Sequence, residues 1–77
     1  MKIEILGTGC PKCKKLFENA LGAVGELKID ADVAKVEDIQ KIMETGVMIT
    51  PAIAVDGVVK SAGKVLSVED IKKMLSA

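Results

Sequence analysis

Histidine, tryptophan and tyrosine are absent from this chain, and Phe17 is its only aromatic residue. A core therefore has to be built from Ile, Val, Leu, Met and Ala. The four methionines (Met1, Met43, Met48 and Met74) are read as core filler rather than copper ligands. An excess of either charge is also missing: Lys+Arg and Asp+Glu each number 11, for a formal net charge of zero. With neither a basic surplus nor stacking aromatics, nucleic acid is not expected as a partner. No stretch approaches the roughly 20 apolar residues of a membrane span, so no membrane association is expected. The N-terminal run Met1-Lys2-Ile3-Glu4-Ile5-Leu6 contains an acid and no small-residue cleavage site. It is not read as a signal peptide, and a cytoplasmic location is expected. The 77 residues suffice for a single domain over 1–77, of a size that buries roughly 60% of its unfolded surface.

What is present is ordered. Residues 2–6 alternate loosely and run into Gly7-Thr8-Gly9, which reads as a strand entering a glycine-rich turn. Cys13, Leu16, Phe17, Ala20, Leu21 and Val24 are spaced by three and four along one helical face. Pro11 suits the first turn, where its missing N–H has no partner to lose. Gly22 and Gly25 weaken the end of this helix and predict a stop near Glu26. Ile29, Ala31 and Val33 alternate as a half-buried strand. Val36, Ile39, Ile42 and Met43 return to helical spacing, with Gly46 able to end that helix. Ala52-Ile53-Ala54-Val55 and Val58-Val59 flank Asp56-Gly57, a strong hairpin signal. Ser67 with Asp70 resembles a helix N-cap ahead of Val68, Ile71, Met74 and Leu75. The expected class is α/β, in the order β-α-β-α-β-β-α. The strand–helix–strand unit implies a parallel pair and the late hairpin adds antiparallel strands, giving a four-stranded mixed sheet flanked by three helices.

The two cysteines form Cys10-Pro11-Lys12-Cys13 at a strand-to-helix turn. In a reducing cytosol such a close pair points to redox chemistry or metal rather than to a structural staple. At i and i+3 across a helix start, the Cα atoms can come within disulfide range, about 4.4–6.8 Å. Cys10 is expected at or just before the first turn, where unpaired backbone N–H groups, the helix dipole and Lys12, Lys14 and Lys15 favour its thiolate. Cys13, further in and on the apolar face, is expected to be less exposed. Cys10 is then the nucleophile that opens a partner's disulfide, and Cys13 the resolving thiol that releases the reduced partner and leaves an internal bridge.

Three features together resemble the thioredoxin superfamily, and most closely its small archaeal and bacterial glutaredoxin-like members. They are Gly7-Thr8-Gly9-Cys10-Pro11-Lys12-Cys13 after the first strand, Ile49-Thr50-Pro51 before the hairpin, and the order of elements. The resemblance covers essentially the whole chain. It implies a thiol–disulfide oxidoreductase with no cofactor beyond the Cys10–Cys13 disulfide, acting on protein disulfides and recharged by an upstream disulfide reductase, as a monomer. It also implies a cis Pro51 beside the cysteines, with the Thr50 backbone meeting an extended substrate segment, and Pro11 and Lys12 on the same substrate surface. An ordinary trans proline opening an edge strand is the alternative, since only about 5–6% of X–Pro bonds are cis. Glu4, six residues before Cys10, stands where thioredoxins keep a buried acid that moves protons for the second cysteine. Its alternative is a solvent-facing residue near a strand end. Thioredoxins usually have Trp before the first cysteine and Gly-Pro between the pair, where this chain has Gly9 and Pro11-Lys12. Glutaredoxins usually have an aromatic at Lys12 and a Gly-Gly pair where Ser61-Ala62-Gly63-Lys64 stands here, a departure that counts against glutathione binding.

Two other functions are compatible with the residues. One is a metal carrier, although a four-ligand zinc site would lack its second half, because the chain has no further cysteine and no histidine. The related copper-chaperone pattern orders its elements differently and carries Met where this chain has Gly7. The other is a redox-switched binding module without turnover.

Overall fold

The computed structural model describes residues 1–9 and 11–76; Cys10 and Ala77 lie outside the described residues. The elements are β1 (Lys2–Leu6), α1 (Pro11–Leu27), β2 (Asp32–Val36), α2 (Ile39–Glu44), β3 (Ala52–Val55), β4 (Val58–Ala62) and α3 (Val68–Ser76). They form one four-stranded sheet in the order β2-β1-β3-β4. β1 runs parallel to β2, from Lys2↔Asp32 to Leu6↔Val36, and antiparallel to β3, from Ile3↔Val55 to Leu6↔Ala52. β3 and β4 form an antiparallel hairpin. This is the thioredoxin-like α/β architecture that the resemblance implies.

Alternation along β1 divides the core between the two faces of the sheet. Ile3 and Ile5 point to one face and join Ile53 and Val55 beneath Leu16, Ala20 and Ala23 of α1 and Ile71 of α3. Leu6 points to the other face, with Ala52, Ile42 of α2 and Val47. β3 is buried along its whole length because both of its faces are covered. Ala20 and Ala23 let α3 approach α1 closely, and Val68 Cγ2 would lie 3.4 Å from a methyl added at Gly22. Asn19 Nδ2 donates to the Leu66 carbonyl at 2.8 Å and ties the segment before α3 to α1.

The local signals act as read. α1 begins at Pro11 and continues to Leu27, where Lys28 turns left-handed at φ 54°. Asp56 and Gly57 both have positive φ, as a two-residue hairpin turn requires. Ser67 Oγ accepts from the Asp70 N–H at 3.1 Å, capping α3.

Three details differ. β2 begins at Asp32, not Ile29, because Asp32 is the first residue to pair with β1. Val36 therefore belongs to the strand, and α2 starts at Ile39 after Asp38, whose side chain accepts from the Gln40 N–H at 2.9 Å. Three of the four methionines are not core filler: Met1, Met43 and Met48 are 49%, 69% and 96% exposed. Only Met74 packs against the core, whose buried side chains are Ile, Val, Leu and Ala with Cys13. Among the described residues no helix is long and apolar enough to cross a membrane.

Candidate active site

The site is assembled where β1 gives way to α1. Gly7 continues the β1–β2 ladder by donating its N–H to the Val36 carbonyl at 3.0 Å, which fixes its backbone. The Cys13 side chain sits directly against Gly7. A methyl group added there would overlap Cys13 Sγ and lie 3.2 Å from its Cβ. A glycine is what allows the sulfur to rest on the main chain. Two residues later, Gly9 makes the turn into α1 with φ +87°, a conformation that glycine adopts without penalty.

Cys13 is 5% exposed, on the same stripe of α1 as the fully buried Leu16. Pro11 and Lys12, in the first turn, are exposed. That turn carries no acidic residue, and Lys12, Lys14 and Lys15 are all exposed around it. Cys10, the expected nucleophile, lies outside the described residues.

The strand next to β1 brings in the Thr50–Pro51 segment, whose peptide bond is cis, since Ala52 pairs with Leu6. Pro51 is buried and Thr50 is exposed. Thr50 Cβ lies 3.8 Å from the point a Gly7 methyl would occupy, so Thr50 and Cys13 flank the same glycine. The Pro51 carbonyl accepts from the Gly63 N–H at 2.8 Å, and Ile49 packs against Gly63. A segment about 40 residues from the cysteines in sequence thus borders Cys13.

Glu4 has a different position. It lies on β1 between Ala34 and Ala54, out of phase with Ile3 and Ile5, so its side chain leaves the face opposite the one that packs α1. It borders an open concavity with Lys2, Val36, Asp38 and Lys41. The structure does not bring it beside Cys13.

Two residues that sequence reasoning missed share a cavity with Cys13. A cavity of about 90 Å³ is lined by Gly7, Gly9, Cys13, Lys14, Lys35 and Glu37. Lys35 pairs with Ile5 across the β1–β2 ladder, and its ammonium lies 4.6 Å from the centre of the Phe17 ring. A methyl at Gly9 would come within 2.8 Å of Glu37 Oε2, so this carboxylate stands against the glycine that precedes Cys10. The signal was available only through pairing: parallel register sets Lys35 beside Ile5, and Glu37 follows two positions on. Among the described residues, no group of three or more Cys, Asp or Glu side chains could hold a metal ion.

Comparison with known proteins agrees with this fold. Residues 1–76 match the family model described as a thioredoxin domain. A thioredoxin of Methanothermobacter thermautotrophicus is 50% identical over 76 residues, covering 99% of each chain. A thioredoxin of Methanocaldococcus jannaschii is 49% identical over 75 residues, covering 97% of this chain and 86% of its own. Matches of that length and identity establish that the chain belongs to the thioredoxin family and is a thiol–disulfide oxidoreductase.

Proposed function

We propose that Cys10 is the attacking thiolate and Cys13 the resolving thiol of a protein-disulfide reductase. The observation that carries this is the placement of Cys13: buried in the first turn of α1, sulfur against the Gly7 backbone, with Thr50 close to the same glycine. A thiol so enclosed is suited to an internal attack rather than to meeting a protein from solution. In the sequence Cys10 immediately precedes Pro11, which opens a 17-residue helix with no acid in its first turn and so marks that helix's positive end. Lys12, Lys14 and Lys15 add cationic charge there, and both influences favour a thiolate at Cys10.

In reductive turnover the Cys10 thiolate attacks one sulfur of the substrate disulfide and expels the other as a thiolate. Cys13 then loses its proton and attacks Cys10 Sγ. The bond to the substrate breaks, its electron pair leaves on the substrate sulfur, and Cys10–Cys13 becomes the disulfide. Two electrons pass to the substrate, and an upstream disulfide reductase returns them. The bridge itself is the only redox group required.

A polypeptide substrate is favoured by the surface beside Thr50. Met48 and Ile49 are 96% and 63% exposed, an apolar approach to a main-chain segment able to pair in strand fashion, and Pro11 and Lys12 are exposed as well. We assign the protein to the cytoplasm, acting as a monomer in a single domain.

Trapping tests this reading. Cys13→Ser incubated with insulin, as a protein disulfide, is expected to accumulate a covalent adduct through Cys10, visible by mass spectrometry. Cys10→Ser is expected to form none and to lose reductase activity. Wild-type rates in Cys10→Ser would defeat the mechanism.

A further inference from the structure

The mechanism requires a proton to leave Cys13 while the substrate is still joined to Cys10. Cys13 is 5% exposed, and the side chain that meets it in a common cavity with an acid is not Glu4, which lies across the sheet. The cavity of about 90 Å³ is large enough to hold a water, which needs about 10–15 Å³. Cys13 Sγ rests on Gly7 at one part of its wall, and Glu37 Oε2 stands against Gly9 at another. Both residues open onto one space that can hold a water, which is the setting that proton transfer through a water calls for.

We propose that Glu37 takes the Cys13 proton in the resolving step, through a water in this cavity. The inference rests on the dithiol reading above. In the mixed disulfide a bound polypeptide covers the mouth of the site, so hydroxide from bulk solvent is kept out and a base is needed within. The Cys13 proton passes by way of the water to the Glu37 carboxylate. The Cys13 thiolate forms the bond to Cys10 Sγ, and the departing substrate sulfur carries away the electron pair of the broken bond. The Glu37 carboxylic acid then returns its proton to that thiolate or to water, which restores the starting charge. Glu37 itself is exposed, so its replacement does not disturb the core. The Lys35 ammonium, from a residue that lines the same cavity, is held over Phe17.

The experiment is a pre-steady-state reduction of insulin by reduced wild type, Glu37→Gln, Glu4→Gln and Cys13→Ser, with samples acid-quenched and run without reductant. The charged groups sharing the two concavities that Glu37 borders are Lys14, Lys35, Lys2, Glu4, Asp38 and Lys41, so the Glu4 arm separates the two carboxylates. Glu37→Gln is expected to slow reduction at least about tenfold near pH 7 and to accumulate the Cys10-linked adduct transiently, the mark of a slow second step. The deficit should close to within about twofold by about pH 9.5, where the thiolate forms without a base. A Glu37→Gln profile that overlies wild type, while Cys13→Ser still traps the adduct, overturns the role of Glu37 and leaves the dithiol reading intact. An adduct that accumulates in Glu4→Gln and not in Glu37→Gln overturns it as well. Absence of any adduct in Cys13→Ser sinks the dithiol reading and this inference with it.

Discussion

Gly7→Ala is the most demanding test of how Cys13 is held. The added methyl would overlap Cys13 Sγ and lie 3.2 Å from Cys13 Cβ. Neither side yields easily. The Gly7 backbone is pinned by its 3.0 Å bond to the Val36 carbonyl, and Cys13 is anchored in α1. Overpacking of this kind costs about 1–3 kcal/mol. Gly7 lacks the positive φ that would penalise alanine, so the lower entropy of the unfolded chain offsets about 0.4–1 kcal/mol. A net loss of about 1–2 kcal/mol remains. With an unfolding entropy of about 2.1 cal/mol/K per residue, 77 residues give roughly 0.16 kcal/mol/K, and the melting temperature should fall by about 6–12 °C. Gly25→Ala supplies the control with the same change in composition. It lies within α1, where an added methyl meets nothing within 4 Å. It should stabilise by about 0.5 kcal/mol, or raise the midpoint by about 3 °C. Circular dichroism melts of the reduced proteins read both. Displacing the sulfur should also slow resolution by at least about tenfold, since misplacement by about 1 Å can cost about 10²-fold. If Gly7→Ala melts at or above wild type, Cys13 does not rest on Gly7 and the geometry of the site is misread.

Other outcomes follow from the packing. Ile71→Ala removes a fully buried side chain from the α1–α3 face and should cost about 2–5 kcal/mol; urea denaturation would show a lower midpoint or an unfolded protein, and an unchanged midpoint contradicts the core described. Asn19→Ala leaves the Leu66 carbonyl without its 2.8 Å donor and should cost about 1 kcal/mol by the same assay. The Lys72 pKa is raised above 10.5, chiefly by its hydrogen bond to Glu26 at 3.0 Å, then by the charges of Glu26 and Glu69. A raised ammonium pKa stabilises the fold below its unfolded value and loses that contribution as pH rises through the folded value. The bridge between α3 and α1 should therefore weaken only above pH 10.5, and Lys72→Met should remove that alkaline dependence in melts at low salt.

Much of the fold was legible because local signals carried it. Pro11 started α1, Asp56-Gly57 made the hairpin and Ser67 capped α3, each through chemistry confined to a few residues. The errors arose where a distant partner decided. Asp32 rather than Ile29 opens β2 because β1 sets the register, and Val36 passes from the expected helix to the strand for the same reason. The cysteine motif could be read directly, and its link to Thr50-Pro51 came from resemblance. The acid that shares a cavity with Cys13 could not be found by counting back along the chain. Glu4 has the expected spacing, yet strand alternation turns it to the other face, whereas Glu37 arrives from the neighbouring strand.

The central claim is that Cys10 and Cys13 exchange electrons as one unit. Alkylation and mass spectrometry across a series of dithiothreitol redox buffers test it most directly. Wild type should lose both reactive thiols together, in one transition with the slope of a two-electron couple, and each single Cys→Ser variant should lack that transition. Thiols that disappear independently, or a wild-type protein that retains both in oxidising buffer, would contradict the account.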